Sequence, residues 1–220
     1  MVRHLLAPVN RDAAQALDLP RTLPDARGVA LTFDDGPHPE GTPAVLDVLA
    51  RAGARATFFV VGEQVQRRPE LVRDIVAGGH AVALHGHRHR LQLRLSTAQV
   101  ADDLARGAAA VREAYGGGLD QGPRWHRPPY GIYSPAGLRA ARAQGLAPLL
   151  WSRWGRDWRK FTTPSRIAGR VTRSIIAGDV ILLHDADFYS ARGSHRRTVA
   201  ALELILVELN LRKLDTVLPV

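Results

Sequence analysis

Cysteine is absent from the 220 residues. That excludes disulfides, thiolate nucleophiles and cysteine zinc sites, and leaves the compartment open, because a cysteine-free chain suits either redox environment. Any metal site must be assembled from histidine and carboxylate. Lysine is nearly missing too: Lys160 and Lys213 are the only two, so the formal net charge of +9 is carried by arginine. Such a surface favours anionic partners. The arginines are scattered, however, and no recognition-helix pattern, aromatic RNA-binding signature or basic tail accompanies them, so no nucleic-acid partner is expected. No apolar run reaches the roughly 18 residues that a membrane span requires. The stretch Leu5-Leu6-Ala7-Pro8-Val9 is too short for a signal-peptide core, and Asp12 and Asp18 soon follow; the sequence as written predicts a cytoplasmic protein. It carries no mark of oligomeric state.

What is present is enough for one enzyme-sized domain, with 45% hydrophobic residues to build a core. Short β-branched or aromatic runs predict strands over 28–33, 56–60, 81–84, 124–128, 147–151, 180–183 and 216–218. Between them, helical periodicity predicts helices over 42–54, 69–77, 96–115, 134–144, 164–176 and 197–211, the third opened by a Ser96/Gln99 capping box. This alternation implies an α/β fold with a parallel sheet, because parallel neighbours need a crossover and a helix usually supplies it. The pattern says little about whether the sheet is open or a barrel. Residues 1–27 read as a polar, proline-punctuated lead-in and 28–220 as the domain.

The polar residues that interrupt these runs fall at the carboxyl ends of the predicted strands, where α/β folds place their chemistry. Asp34 and Asp35 follow the first strand, His85 the third, Arg127 ends the fourth, Asp157 follows the fifth and His184 the sixth. His85 and His89 lie four apart, so one helical turn would bring both rings to one side. Two imidazoles and one carboxylate make the three-ligand set of a catalytic metal site with an open position. Only one of the adjacent aspartates can easily bind that ion, which leaves the other where a general base would sit. Trp151, Trp154 and Trp158 cluster beside a strand end, suited either to stacking on sugars or to the core.

The stretches Leu31-Thr32-Phe33-Asp34-Asp35-Gly36-Pro37, His85-Gly86-His87-Arg88-His89, Arg127-Pro128-Pro129-Tyr130-Gly131, Asp157-Trp158 and Leu182-Leu183-His184-Asp185 occur in that order. Together they resemble the five motifs of the polysaccharide deacetylases, the NodB-homology or family-four carbohydrate esterase domains. The resemblance implies a distorted parallel (β/α) barrel of about seven strands, and a hydrolase that removes acetyl groups from N-acetylated, or O-acetylated, sugars of a glycan. It implies a divalent metal, zinc first, with cobalt or nickel as substitutes, held by Asp35, His85 and His89. Asp34 would take a proton from the attacking water and His184 would protonate the leaving group. Arg127 would be the partner of Asp34, and Asp157 that of His184. The Tyr130 amide would steady the oxyanion, while Leu182 and Trp158 would line the acetyl pocket.

Two departures stand out. Gly86 replaces the usual serine or threonine, losing a hydroxyl that would steady the metal loop, and Arg153 and Arg156 make the fourth-motif rim cationic. The rim leaves room for a small anionic, nucleotide-linked or lipid-linked substrate. A catalytically silent carbohydrate-binding domain is the alternative from another class.

Overall fold

The computed structural model describes residues 2–116 and 122–219. Its sheet has seven strands, all parallel: β1 (Ala30–Asp34), β2 (Ala56–Val60), β3 (Ala81–Leu84), β4 (Trp125–His126), β5 (Ala147–Pro148), β6 (Arg153–Trp154) and β7 (Val180–His184). Around it lie α1 (Val2–Leu6), α2 (Arg11–Gln15), α3 (Gly41–Arg51), α4 (Gly62–Arg67), α5 (Pro69–Ala77), α6 (Thr97–Ala114), α7 (Pro135–Ala143), α8 (Pro164–Thr172) and α9 (Ser194–Leu211). β1 and β2 are buried along their whole length, as central parallel strands covered on both faces must be. The Ser96/Gln99 capping box opens α6 as expected, with both reciprocal hydrogen bonds formed. No helix among the described residues is long and apolar enough to cross a membrane.

The strand order is β5-β4-β3-β2-β1-β7-β6, so strands consecutive in sequence, β5 and β6, occupy opposite edges. Only residues 149–152 connect them. Five Cα steps reach at most about 18 Å, whereas the edges of a flat seven-stranded sheet would lie about 29 Å apart. The sheet therefore curls until its edges nearly meet, and the connection crosses the remaining seam. This is the distorted parallel barrel.

The seam leaves backbone carbonyls without strand partners, and two arginines satisfy them. Arg127, fully buried, donates from Nε to the Leu149 carbonyl (2.9 Å) and from Nη2 to that of Leu150 (2.8 Å). Its guanidinium stacks over Phe59 at 4.0 Å. Arg21 donates to the Trp151 carbonyl (2.8 Å).

Membership of the sheet differs from the sequence expectation at two places. The segment 216–218 is no strand, since Thr216 makes only an isolated bridge to Val29. The seventh strand is β6, a two-residue pairing with β7 too short to carry a periodic signal. The predicted strand at 147–151 pairs only at its first two residues because the rest forms the seam. The lead-in contributes α1 and α2, and buries Ala7, Ala14 and Leu19 in the common core.

Candidate active site

Strand register sets the first relationship in the site. Asp34 at the end of β1 pairs in register with Phe59 of β2 on one side and His184 of β7 on the other. Side chains of one parity share a sheet face, so the two polar groups stand side by side at the strand ends. Asp34 accepts a hydrogen bond from Arg127 Nη1 at 2.6 Å, and the same nitrogen donates to Thr32 Oγ1 at 2.9 Å. Asp35 follows with a φ of 80°, a left-handed turn that ends the strand and lets the adjacent carboxylates face different partners.

Asp35 Oδ1 lies 3.4 Å from His85 Nε2 and 3.3 Å from His89 Nε2. These three groups, all poorly exposed, form a cluster with metal-ligand spacing. Asp35 Oδ1 is buried with no hydrogen-bond partner, an arrangement that a structural carboxylate rarely tolerates and that a cation would satisfy. His85 Nδ1 faces the Arg127 carbonyl at 2.8 Å; donation there leaves the Nε2 lone pair directed at the cluster, the usual outer support of a ligating histidine. Burial holds His89 down to about 4, so its ring is neutral near pH 7. Asp35 is held at about 2: burial opposes the shift, but the close approach of His85 and the charges of the neighbouring histidines outweigh it. Two groups of the set are thus in ligating form at neutral pH.

The histidines do not meet through a helical turn. The segment after β3 is irregular. Gly86 has a φ of 85°, and the N–H groups of His87 and Arg88 donate to the Asp103 carboxylate at 2.8 and 3.1 Å. The left-handed residue breaks the right-handed path, and Asp103 of α6 steadies the loop from outside in place of a hydroxyl at position 86. His87 is buried beside α4 and α6, away from the cluster.

On the other side, the backbone N–H of His184 and the Thr198 hydroxyl both donate to Asp157 Oδ2 (2.7 and 2.8 Å), while His184 Nδ1 meets Asp157 Oδ1 at 2.9 Å. Nε2 is left for the cavity. Burial lowers the basicity of His184, but Asp157 first, then Asp35 and Asp34, push it up to about 10. A cation on Asp35 would offset part of that rise. Thr198, on α9, is a residue that no sequence signal marks.

A cavity of about 270 Å³ joins these groups. Of the ten residues singled out from sequence, all but Arg127 and Asp157 line it, and those two stand directly behind Asp34 and His184. Tyr130 enters with a left-handed φ of 62°. Trp151, Trp154 and Trp158 also line the wall, with Trp154 and Trp158 stacked at 4.7 Å and Trp158 edge-on to His184 at 5.8 Å. Tyr189 and Ser190, in the loop after β7, complete the lining.

A curled parallel α/β barrel with an aspartate–histidine cluster and a second carboxylate gathered in a cavity at its strand ends is the class of protein that the fold and site define. Residues 22–149 match the family described as polysaccharide deacetylase, and the chain belongs to that family. It is 43% identical over 159 residues to a chitooligosaccharide deacetylase of a Bradyrhizobium species, covering 72% of this chain and 71% of the relative. It is 36% identical over 184 residues to a peptidoglycan-N-acetylglucosamine deacetylase of Bacillus cereus, covering 82% and 81%. Among solved structures it superposes on a family 4 acetyl xylan esterase from Clostridium thermocellum, in complex with a cobalt ion, with a TM-score of 0.76, 30% identity and 86% of each chain covered.

Proposed function

We propose that the protein is a metal-dependent hydrolase, with 28–220 as its catalytic domain, that removes acetyl groups from N-acetylated sugars of a glycan. The observation that carries this reading is the orphaned Asp35 Oδ1 between His85 and His89, flanked in one cavity by Asp34–Arg127 and His184–Asp157. The names of the two sequence relatives favour N-acetylglucosamine oligomers or peptidoglycan as the acceptor. The xylan esterase favours O-acetyl sugars as a second substrate of the same site.

Asp35, His85 and His89 would hold a divalent cation, zinc in the first instance, which when bound acidifies a water and polarises the acetyl carbonyl. Asp34, held by Arg127, takes the proton as that water's oxygen adds to the carbonyl carbon. The Tyr130 backbone N–H donates to the oxyanion so formed, a contact worth about 10²–10³ in rate where it has been removed elsewhere. His184, protonated and oriented by Asp157, gives a proton to the sugar nitrogen as the carbon–nitrogen bond breaks, and acetate and a free amine leave. Leu182 and Trp158 bound the space for the acetyl methyl group and keep bulk water from it.

Stripping metal with a chelator is expected to abolish acetate release, and zinc or cobalt to restore it, on a panel of N-acetylglucosamine oligomers, peptidoglycan fragments and acetylxylan. Full activity in the stripped protein would refute the metal role. Restored release from one member names the substrate class, whereas stoichiometric zinc with silence across the panel would support a binding domain instead. His184→Ala is expected to lower kcat on an amide by about 10²–10⁴ and on an activated ester much less, since that leaving group departs without a proton. Equal losses on both would remove His184 from the acid role.

A further inference from the structure

Beside the cavity lies a second cluster: His38 after β1, Asp187 after β7 and His195 at the start of α9. His38 Nε2 is 3.2 Å from Asp187 Oδ1, His195 Nδ1 is 3.4 Å from Asp187 Oδ2, and the two rings pack at 4.5 Å. The spacing would suit a cation, but the hydrogen bonds of His38 decide against one. Its Nδ1 accepts from the backbone N–H groups of Glu40 (3.1 Å) and Gly41 (2.9 Å). The lone pair is therefore on Nδ1, and in the neutral ring the proton is on Nε2. A ring held this way turns its Nε2 proton toward Asp187 and offers an ion no lone pair there. The cluster is a clasp in which two buried imidazoles close on one partly exposed carboxylate.

The clasp holds the loop that follows β7. Asp187 Oδ2 accepts from the Gly193 N–H at 2.6 Å, and the Ala191 N–H donates to the Trp158 carbonyl at 3.2 Å. Between these anchors stands Tyr189. Its ring lies parallel on His89, with centroids 4.2 Å apart and planes 9° from parallel. Its hydroxyl donates to Glu63 Oε1 (3.1 Å) and accepts from Gln64 Nε2 (3.2 Å). Both partners are on α4, whose Gly62 and Glu63 N–H groups donate to the carbonyls of Gly86 and His87, each at 2.9 Å. The tyrosine is thus tied at both ends to the structure that carries His85 and His89.

His89 needs such support. The Arg127 carbonyl fixes the ring of His85, whereas among the described residues no comparable hydrogen bond fixes His89. Its orientation rests on Tyr189 over one face and Tyr130 edge-on at 4.8 Å. We propose that Tyr189 is a positioning residue for His89 in the metal site, seated by the clasp of His38, Asp187 and His195. The proposal rests on the metal-site reading given above.

The test is zinc affinity, measured by competition with a chromophoric chelator on metal-stripped protein, together with the visible spectrum of the cobalt-loaded form. Tyr189→Phe keeps the stack and is expected to bind zinc as wild type does. Tyr189→Ala is expected to bind about 10-fold more weakly or worse, the usual effect of removing an outer support of a ligating histidine, with an altered cobalt spectrum. Asp187→Ala should weaken zinc in the same direction, and far-UV circular dichroism checks that each variant is folded. Wild-type zinc affinity in Tyr189→Ala would overturn the proposal, even if KM for a glycan rose, because Tyr189 would then serve the substrate alone. Weakening in Tyr189→Ala without any in Asp187→Ala would overturn the clasp. Zinc binding that survives His85→Ala would overturn the metal reading, and this proposal with it.

Discussion

Asp34→Asn is expected to lower kcat by about 10²–10⁴ and to leave zinc bound stoichiometrically. The amide matches the carboxylate in shape and keeps an oxygen to accept from Arg127, but it cannot take a proton from water. His85, His89 and Asp35 are untouched, and Asp34 contributes nothing to the ligand cluster. The matched variant His85→Ala should lose both zinc and turnover. Zinc titration alongside single-turnover acetate release separates the two cases, and loss of zinc from Asp34→Asn would refute the division of labour between the adjacent aspartates. Because the change also removes the negative charge opposite a buried guanidinium, the variant will melt lower. Circular dichroism at the assay temperature must show a folded protein before the rate is read.

Arg127→Met should be the most damaging single change to the fold. The methionine fills part of the space, but it leaves the Asp34 carboxylate and the carbonyls of Leu149 and Leu150 without their buried donors. Removing one member of a buried ion pair costs about 3–5 kcal/mol, and each orphaned acceptor adds to that. Arg127→Lys should fall between, since one ammonium can meet Asp34 but cannot reproduce a planar fork serving several acceptors at once. Urea denaturation gives the ordering directly: wild type, then lysine, then methionine. A methionine variant as stable as wild type would show that Arg127 does not secure the seam.

The sequence reveals the site more fully than the frame around it, for a physical reason. Asp34, Asp35, His85 and His184 are polar residues that end apolar runs, and each break falls where a parallel strand ends, while Arg127 directly follows β4; β2 and β3 are readable for the same reason, as unbroken runs between turn signals. β6 was not, because two residues carry no period and their pairing depends on a seam that only the closed sheet creates. The helical turn expected at 85–89 failed on Gly86, whose left-handed φ sends the following amides to Asp103. The roles of Thr198 and Tyr189 are hidden for a further reason, even though the long mixed-charge loop 185–193 that carries Tyr189 is one the sequence suggests could cover the site. Each acts on a site residue more than 10 positions away in sequence, through contacts that no local pattern encodes.

The seam has a consequence for how this chain can change over generations. His184 faces a cavity, and on the proposed function its replacement alters chemistry more than packing, so mutational drift toward an inactive sugar-binding protein has an open route through it. Arg127 offers no such route, because the guanidinium that holds Asp34 also plugs the gap between the sheet's two edges. Lineages that lose catalysis while staying folded are expected to keep this arginine, as a relic of the way the barrel closes.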